Sequence, residues 1–281
     1  MREIDVRDIT KAVAVLAVKA NYELGDDVVL ALKRARDSEV SPQGRGILDK
    51  LILNAELAAH ERIPLCQDCG AAVVFLNIGQ DAHVSGGDLA EAVNAGIRQG
   101  YQEGYLRKSM VGAPFSKRRN TGDNTPAVIH TEIVSGDGLE INFMPKGGGA
   151  ENMSRLVMLN PGEGIAGIID AVVSTVRLAG GNPCPPLVIG LGIGATTDKV
   201  FIMAKQALLR RVGEPNPEPE IAELEKRVLA AVNELGIGPL GFGGRITALA
   251  VQAEAAPCHF ASLPLAINLQ CHSARHARVV L

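Results

Sequence analysis

The sequence predicts a mixed α/β fold, a helical N-terminal part followed by a mixed sheet with packed helices, and two patterns carry that prediction. Apolar residues recur at helical spacing along the stretch that ends at His60, whereas beyond Pro64 short apolar runs bounded by glycine alternate with amphipathic stretches of helix length. No internal repeat, low-complexity tract or linker between independent cores interrupts the 281 residues. The expected organisation is therefore one compound domain over 1–281, mainly helical over 1–62 and mixed α/β over 63–281.

Val6, Ile9, Val13, Leu16 and Ala17 mark a first helix, and Ile47, Leu51, Ile52 and Ala55 mark another that leads to His60. Ala71–Leu76 suits a short buried strand, and Gly86-Gly-Asp-Leu-Ala-Glu-Ala-Val opens a helix. From Gly104 to Thr125 the chain is polar, basic and irregular, the signature of a long loop. Two strands follow, Ala127–Val134 and Leu139–Met144, joined by a turn at Gly136-Asp-Gly, and then the triplet Gly147–Gly149. Ile165, Ile168, Ile169, Val172, Val173 and Val176 form one apolar helix face that ends at Gly180-Gly-Asn-Pro. A strand over Leu187–Gly190 runs through glycine-rich backbone into a helix from about Asp198 to Arg211. After a proline-rich connector come a helix over Ile221–Leu235 and strand-like runs at Ile246–Val251 and Ala261–Leu269.

Composition limits the function classes. At 47% hydrophobic and 21% charged residues, the chain has the balance of a folded globular protein, not of a disordered or fibrous one. Six Phe, three Tyr, no Trp and a net charge of −3 argue against a nucleic-acid partner, which needs stacking platforms and a basic groove. No apolar run approaches the ~18 residues of a membrane span. Met1–Asp8 carries acids where a signal peptide has a basic segment followed by an apolar one. The expected location is the cytoplasm, where cysteines 66, 69, 184, 258 and 271 are reduced, metal-bound or inert.

Four features carry candidate chemistry. Cys66-Gln-Asp-Cys69 has the spacing of a redox pair or of half a zinc site, for which Cys258-His259 and Cys271-His272 offer further ligands. A zinc-stabilised binding or scaffold protein is one reading; each thiol as a small buried hydrophobe is the bland one. Gly190-Leu-Gly-Ile-Gly-Ala195 formally matches a dinucleotide fingerprint, yet no second strand ends in an acid beyond the following helix. A glycine turn that lets a helix pack close to a strand explains it better. Arg107, Lys108, Lys117, Arg118 and Arg119 stand in one loop without an intervening acid, either as a solvated face or as a holder of an anion such as a carboxylate. Finally, the stretch after Glu254 has no acids but holds two cysteines, three histidines, Arg275 and Arg278.

Pro64-Leu-Cys-Gln-Asp, Arg107-Lys-Ser-Met, Asn120-Thr-Gly-Asp-Asn-Thr-Pro, Lys146-Gly-Gly-Gly-Ala-Glu-Asn, Asn182-Pro-Cys-Pro-Pro and Cys258-His-Phe-Ala-Ser-Leu-Pro followed by Cys271 stand in order along the chain. Together they resemble the class I iron–sulfur hydro-lyases, which include oxygen-sensitive fumarases and L-tartrate dehydratases. The resemblance is greatest to the α subunit of the two-subunit fumarases. It implies reversible hydration of fumarate to L-malate, a step of the tricarboxylic acid cycle, or alternatively tartrate dehydration to oxaloacetate.

The resemblance also implies a site. Cys66, Cys184 and Cys271 correspond to the three ligands of a 4Fe-4S cluster, leaving one iron open and Cys69 and Cys258 as bystanders. Three thiolates rather than four leave an exchangeable position, the logic of an open catalytic metal site. Gln67, Asp68, Arg107 and Gly149 match substrate contacts. Asp68 is also assigned to support of acid–base chemistry, and His259 lies by the active site. Single-chain relatives are about twice as long and supply further cationic ligands and a hydroxyl-bearing catalytic residue from their second half. A hetero-oligomer with a β subunit that completes the site around a small dicarboxylate is the expectation.

Overall fold

The structure is a computed structural model that describes residues 2–281. Its elements begin with β1 (Arg2–Asp5), α1 (Val6–Tyr22), α2 (Asp26–Ser38), α3 (Pro42–Glu61), β2 (Ala71–Gly79), β3 (Ala82–Ser85) and α4 (Leu89–Glu103). They continue with β4 (Val128–Val134), β5 (Leu139–Lys146), α5 (Gly148–Glu151), β6 (Arg155–Leu159), α6 (Gly164–Ala179) and β7 (Leu187–Gly194). The last are α7 (Thr197–Ala207), α8 (Pro219–Asn233), β8 (Ala248–Ala256), β9 (Leu263–Gln270) and β10 (Ala277–Val280). The mixed α/β class is the one expected. The chain divides into two compact units, the first made of residues up to Leu24, Ala55–Gly148 and Arg275–Leu281, the second of Gly25–Asn54 and Gly149–Ala274.

In the first unit, the Asp5 carboxylate caps α1 by accepting the Arg7 N–H at 2.8 Å. The helical repeat then puts Ile9, Val13, Leu16, Ala17 and Ala20 on one buried face. That face meets Val93, Ile97 and Tyr101 of α4, Ala72, Val74 and Leu76 of β2, and Leu139, Ile141 and Phe143 of β5. Strand order in the sheet is β10-β5-β2-β4. The strands joined at Gly136-Asp-Gly are therefore not neighbours: β2 lies between them, parallel to β4 and antiparallel to β5. The residues at and just after the end of β2 fill the mouth of the turn, with Gly79, Gln80 and Asp81 N–H groups donating to the carbonyls of Gly138, Val134 and Gly136.

The second unit is built on β6-β9-β7-β8. Because side chains alternate along a strand, Leu187, Ile189 and Leu191 of β7 and Leu265, Ile267 and Leu269 of β9 face one way, into a core with α6 and α8. On the opposite face Ala266 packs with Val200 and Ala204 of α7. There Gly190 and Gly192 are required for contact: a Cβ on either would stand 2.1 Å from the Ala204 carbonyl or 2.0 Å from that of Val200. The glycine motif of β7 serves helix–strand packing, as its bland reading held. Glu39, fully buried, accepts N–H donors from Val40, Ser41, Arg245 and Ile246. Burial raises its carboxyl, and the four backbone donors outweigh that effect and hold it below its ordinary value.

Among the described residues, no helix is long and apolar enough to cross a membrane.

The α1–α4 contact is equally intolerant of bulk. A Cβ at Gly96 would lie 2.6 Å from the Thr10 carbonyl, and one at Gly100 2.7 Å from that of Ala14. Alanine is the better helix former by about 1 kcal/mol, so intrinsic propensity favours Gly96→Ala while the steric contact opposes it. We expect the contact to win: Gly96→Ala destabilises by about 1–3 kcal/mol, read as a lowered thermal midpoint. An unchanged or raised midpoint would contradict the packing.

Candidate active site

α3 ends at Glu61, where Arg62 takes a left-handed φ of +53°, and beyond Pro64 the segment Cys66-Gln-Asp-Cys-Gly70 loops into β2. Its side-chain and backbone groups are tied from many sides. The Asp68 carboxylate accepts the Gly70 N–H at 2.9 Å, the Gly148 N–H at 2.8 Å and the Ser109 hydroxyl at 3.5 Å. The loop's own carbonyls point to buried donors. Asp68 O accepts from Arg275 Nη2 at 2.9 Å, Cys69 O from the Tyr101 hydroxyl at 2.6 Å, and Gly70 O from Tyr101 at 3.2 Å and Asn124 Nδ2 at 3.1 Å. Asn124 also accepts the N–H groups of Ser109 and Met110 through Oδ1, at 2.7 and 3.2 Å. The basic loop is thereby joined to the cysteine loop.

Cys69 completes that junction. Its thiol is 1% exposed and accepts the Arg107 N–H at 3.3 Å. Burial pushes the thiol above its ordinary value, with the Arg107 N–H acting in the opposite sense. These are the properties of an inert structural thiol. Cys66 is half-buried and accepts the Asp68 N–H at 3.4 Å through Sγ, donating to Gln67 Oε1 at 3.5 Å. Gln67 and the Arg107 side chain are exposed. The first unit thus gathers Cys66, Gln67, Asp68, Arg107 and the start of the glycine triplet, where a Cβ on Gly147 would come within 3.3 Å of Asp68 Oδ2.

The second unit gathers Cys184, Cys271 and Gly149. Cys184 lies at the end of the turn that follows α6, with φ +55°. Its carbonyl accepts both the His272 N–H at 3.2 Å and a contact from His272 Nδ1 at 3.0 Å, which joins the Cys184 and Cys271 loops. A Cβ on Gly149 would approach the Asn182 carbonyl to 3.2 Å, so the glycine loop lies directly on the segment leading to Cys184. Two residues on, Glu151 is an ion-pair partner of Lys205 and accepts Asn268 Nδ2 at 3.2 Å, anchoring α5. Burial pushes the Lys205 ammonium down, and Glu151 acts against that.

His259 occupies an exposed turn of this unit. Its carbonyl accepts the Ser262 N–H at 2.9 Å, and Nδ1 accepts the Ala261 N–H at 3.3 Å, which puts the proton of the neutral ring on Nε2. Cys258, also exposed, donates to the Ser262 carbonyl at 3.2 Å and so closes the same turn. No disulfide joins cysteines among the described residues. Nor do three or more His, Cys, Asp or Glu residues among them form a ready metal-holding group. Asn21, Tyr101, Asn124 and Arg275, which hold the cysteine loop, are all buried; Asn124 stands in one of the ordered motifs and Arg275 in the acid-free C-terminal stretch, yet residue order assigns none of the four its hydrogen-bonding partners. Only tertiary pairing reveals them.

A family model described as fumarate hydratase (Fumerase) matches residues 10–280. The chain belongs to this family, the class I iron–sulfur hydro-lyases. It is 42% identical over 274 residues to a Methanocaldococcus jannaschii protein provisionally named L(+)-tartrate dehydratase subunit alpha, with 96% of each chain covered. It is 29% identical over 278 residues to L(+)-tartrate dehydratase subunit alpha of Escherichia coli strain K12, covering 98% of this chain and 91% of the relative. The same subunit from strain UTI89 is 30% identical over 272 residues, with 96% and 89% covered. The chain is a hydro-lyase α subunit by this kinship.

The thiol environments make a direct prediction. Alkylation of the native protein under reducing conditions, read by mass spectrometry, labels Cys184 and Cys258 first and Cys69 at least about tenfold more slowly. Early labelling of Cys69 would contradict its place as a buried acceptor of the Arg107 N–H.

Proposed function

We propose that this chain is the α subunit of a two-subunit iron–sulfur hydro-lyase that reversibly hydrates fumarate to L-malate. The observation that carries the reading is the junction in the first unit: Asp68 on the Gly148 N–H and Cys69 on the Arg107 N–H bind the cysteine loop, the basic loop and the glycine triplet into one construction. These are the parts a small dianionic substrate needs. The exposed Arg107 guanidinium clamps a carboxylate through paired N–H donors. Gln67, also exposed, adds an amide hydrogen bond. Asp68 supports acid–base chemistry by fixing the Gly70 and Gly148 amides and the Ser109 hydroxyl around it. His259 presents Nε2 for proton handling, since its Nδ1 is taken by Ala261. Gly149, without a side chain, leaves its backbone open to close approach by substrate.

Removal of a proton beside a carboxylate builds further negative charge on a group that already carries it, so cationic and N–H donors stabilise the transition state more than the ground state. Cys66, Cys184 and Cys271 would hold a 4Fe-4S cluster. The donor set suits it: thiolates are the soft ligands such clusters take, and the Cys184 and Cys271 loops adjoin through His272. When bound, that group would supply a Lewis acid for the hydroxyl that leaves or adds. A β subunit contributes the remaining cationic ligands and the hydroxyl-bearing catalytic residue; the α-subunit names of the relatives support such a partner. This reading places the reaction in the cytoplasm, as a step of the tricarboxylic acid cycle.

A second reading, dehydration of L-tartrate to oxaloacetate, is favoured by those same names. The two share the carboxylate clamp and differ in the group on the neighbouring carbon. The α and β chains, purified and reconstituted without oxygen, are to be assayed side by side on L-malate and L-tartrate. A malate kcat/KM at least about tenfold higher, or 1.4 kcal/mol of transition-state preference, is expected; the reverse ratio selects tartrate. Cys184→Ser is expected to lose both iron and activity. No turnover of either substrate at full cluster loading would overturn the hydro-lyase reading.

A further inference from the structure

Arg275 is 2% exposed, yet among the described residues of the first unit no ion pair includes it. A guanidinium placed out of water without a carboxylate is costly unless its N–H groups find other acceptors. Its hydrogen bonds show what it does instead. Nη1 donates to Asn21 Oδ1 at 3.0 Å and Nη2 to the Asp68 carbonyl at 2.9 Å, while Nε has no partner. Asn21, itself fully buried, is fixed to α1 by Nδ2 on the Ala17 carbonyl at 2.9 Å. Its own carbonyl accepts the Leu65 N–H at 2.8 Å. The segment from Leu65 to Asp68 is therefore gripped at both ends by one buried pair, and Cys66 and Gln67 lie between the two grips.

We propose that Arg275, seated on Asn21, is a positioning residue that clamps the Cys66–Gln67 segment and fixes the placement of its thiol and amide side chains. The planar fork explains why arginine stands here: two donors at fixed separation span an amide oxygen on α1 and a main-chain oxygen of the loop, which a lysine ammonium on a flexible stem does not reproduce. The neighbouring carbonyls of Cys69 and Gly70 are taken by Tyr101 and Asn124, so removal of the clamp frees the loop's first half while the second half stays anchored. The inference deepens the hydro-lyase reading, because Cys66 and Gln67 act in it, but the clamp itself can be measured without turnover.

The test compares wild type, Arg275→Lys and Asn21→Ala. Hydrogen exchange is read segment by segment in the α chain, and kcat per cluster-loaded molecule is read in the αβ complex. Expected in the Lys variant are exchange at 65–68 at least about tenfold faster, with α4 and β5 unchanged, and kcat lowered at least about tenfold. Should Arg275→Lys fail to fold, Asn21→Ala carries the same expectation, since it removes the seat and leaves the carbonyl that holds Leu65. Unchanged exchange at 65–68, or acceleration spread evenly through the first unit, overturns the clamp in whichever variant folds. Faster local exchange with no turnover by the wild-type complex would keep the clamp and reject the hydro-lyase reading; active wild type with unaltered variants would do the opposite.

Discussion

A buried carbonyl without a donor costs about 1–3 kcal/mol, and the loop that carries Cys66, Gln67 and Asp68 turns three in succession inward. Each finds a buried side chain: Arg275 for Asp68, Tyr101 for Cys69, and Tyr101 with Asn124 for Gly70. That constraint orders much of the first unit. It explains a tyrosine hydroxyl inside an apolar helix contact, pushed by burial to hold its proton, and a buried asparagine that also fixes the entry to the basic loop. The hydro-lyase site proposed above requires donors that are in place before the substrate arrives, since ordering them afterwards subtracts from transition-state stabilisation. Here the ordering is built into the fold.

The abundance of glycine has a parallel logic. In α4 and in β7 the missing side chains let one backbone rest on another, on Thr10 and Ala14 of α1 in the first case and on Val200 and Ala204 of α7 in the second. The same economy of volume recurs where Gly147 meets the Asp68 carboxylate and Gly149 meets the Asn182 carbonyl. The scarcity of aromatics agrees with the proposed charged substrate, which would be held by cations, amides and metal rather than by stacking.

Long periodic elements were legible from residue order alone. The faces of α1, α3, α6 and α8 follow from apolar spacing, and the basic stretch after Gly104 is indeed largely irregular. Short strands were not: β1, β3, β6 and β10 span only four or five residues, too few for alternation to stand out. Nor was the insertion of β2 between β4 and β5, because a turn motif reports that the chain reverses and not which strand it reverses against. At the site, six ordered motifs pointed to the family that the comparisons bear out. Cys66-x-x-Cys69 looked like a local pair, yet the two thiols differ in burial and partners, a contrast that spacing cannot carry. Asn21 escaped notice, and Arg275 stood out only as a cation of the acid-free C-terminal stretch, because neither shows its partner until the fold brings positions 254 residues apart into contact.

The central proposal is that Cys66, Cys184 and Cys271 together hold a cluster with one iron left for substrate. Mössbauer spectroscopy of the iron-57-reconstituted αβ complex, with and without the turned-over dicarboxylate, tests it most directly. The account predicts that substrate shifts the signal of about one iron in four and leaves the other three unchanged. Four irons that all ignore the substrate, or a chain that takes up zinc in place of iron and sulfide, would contradict it.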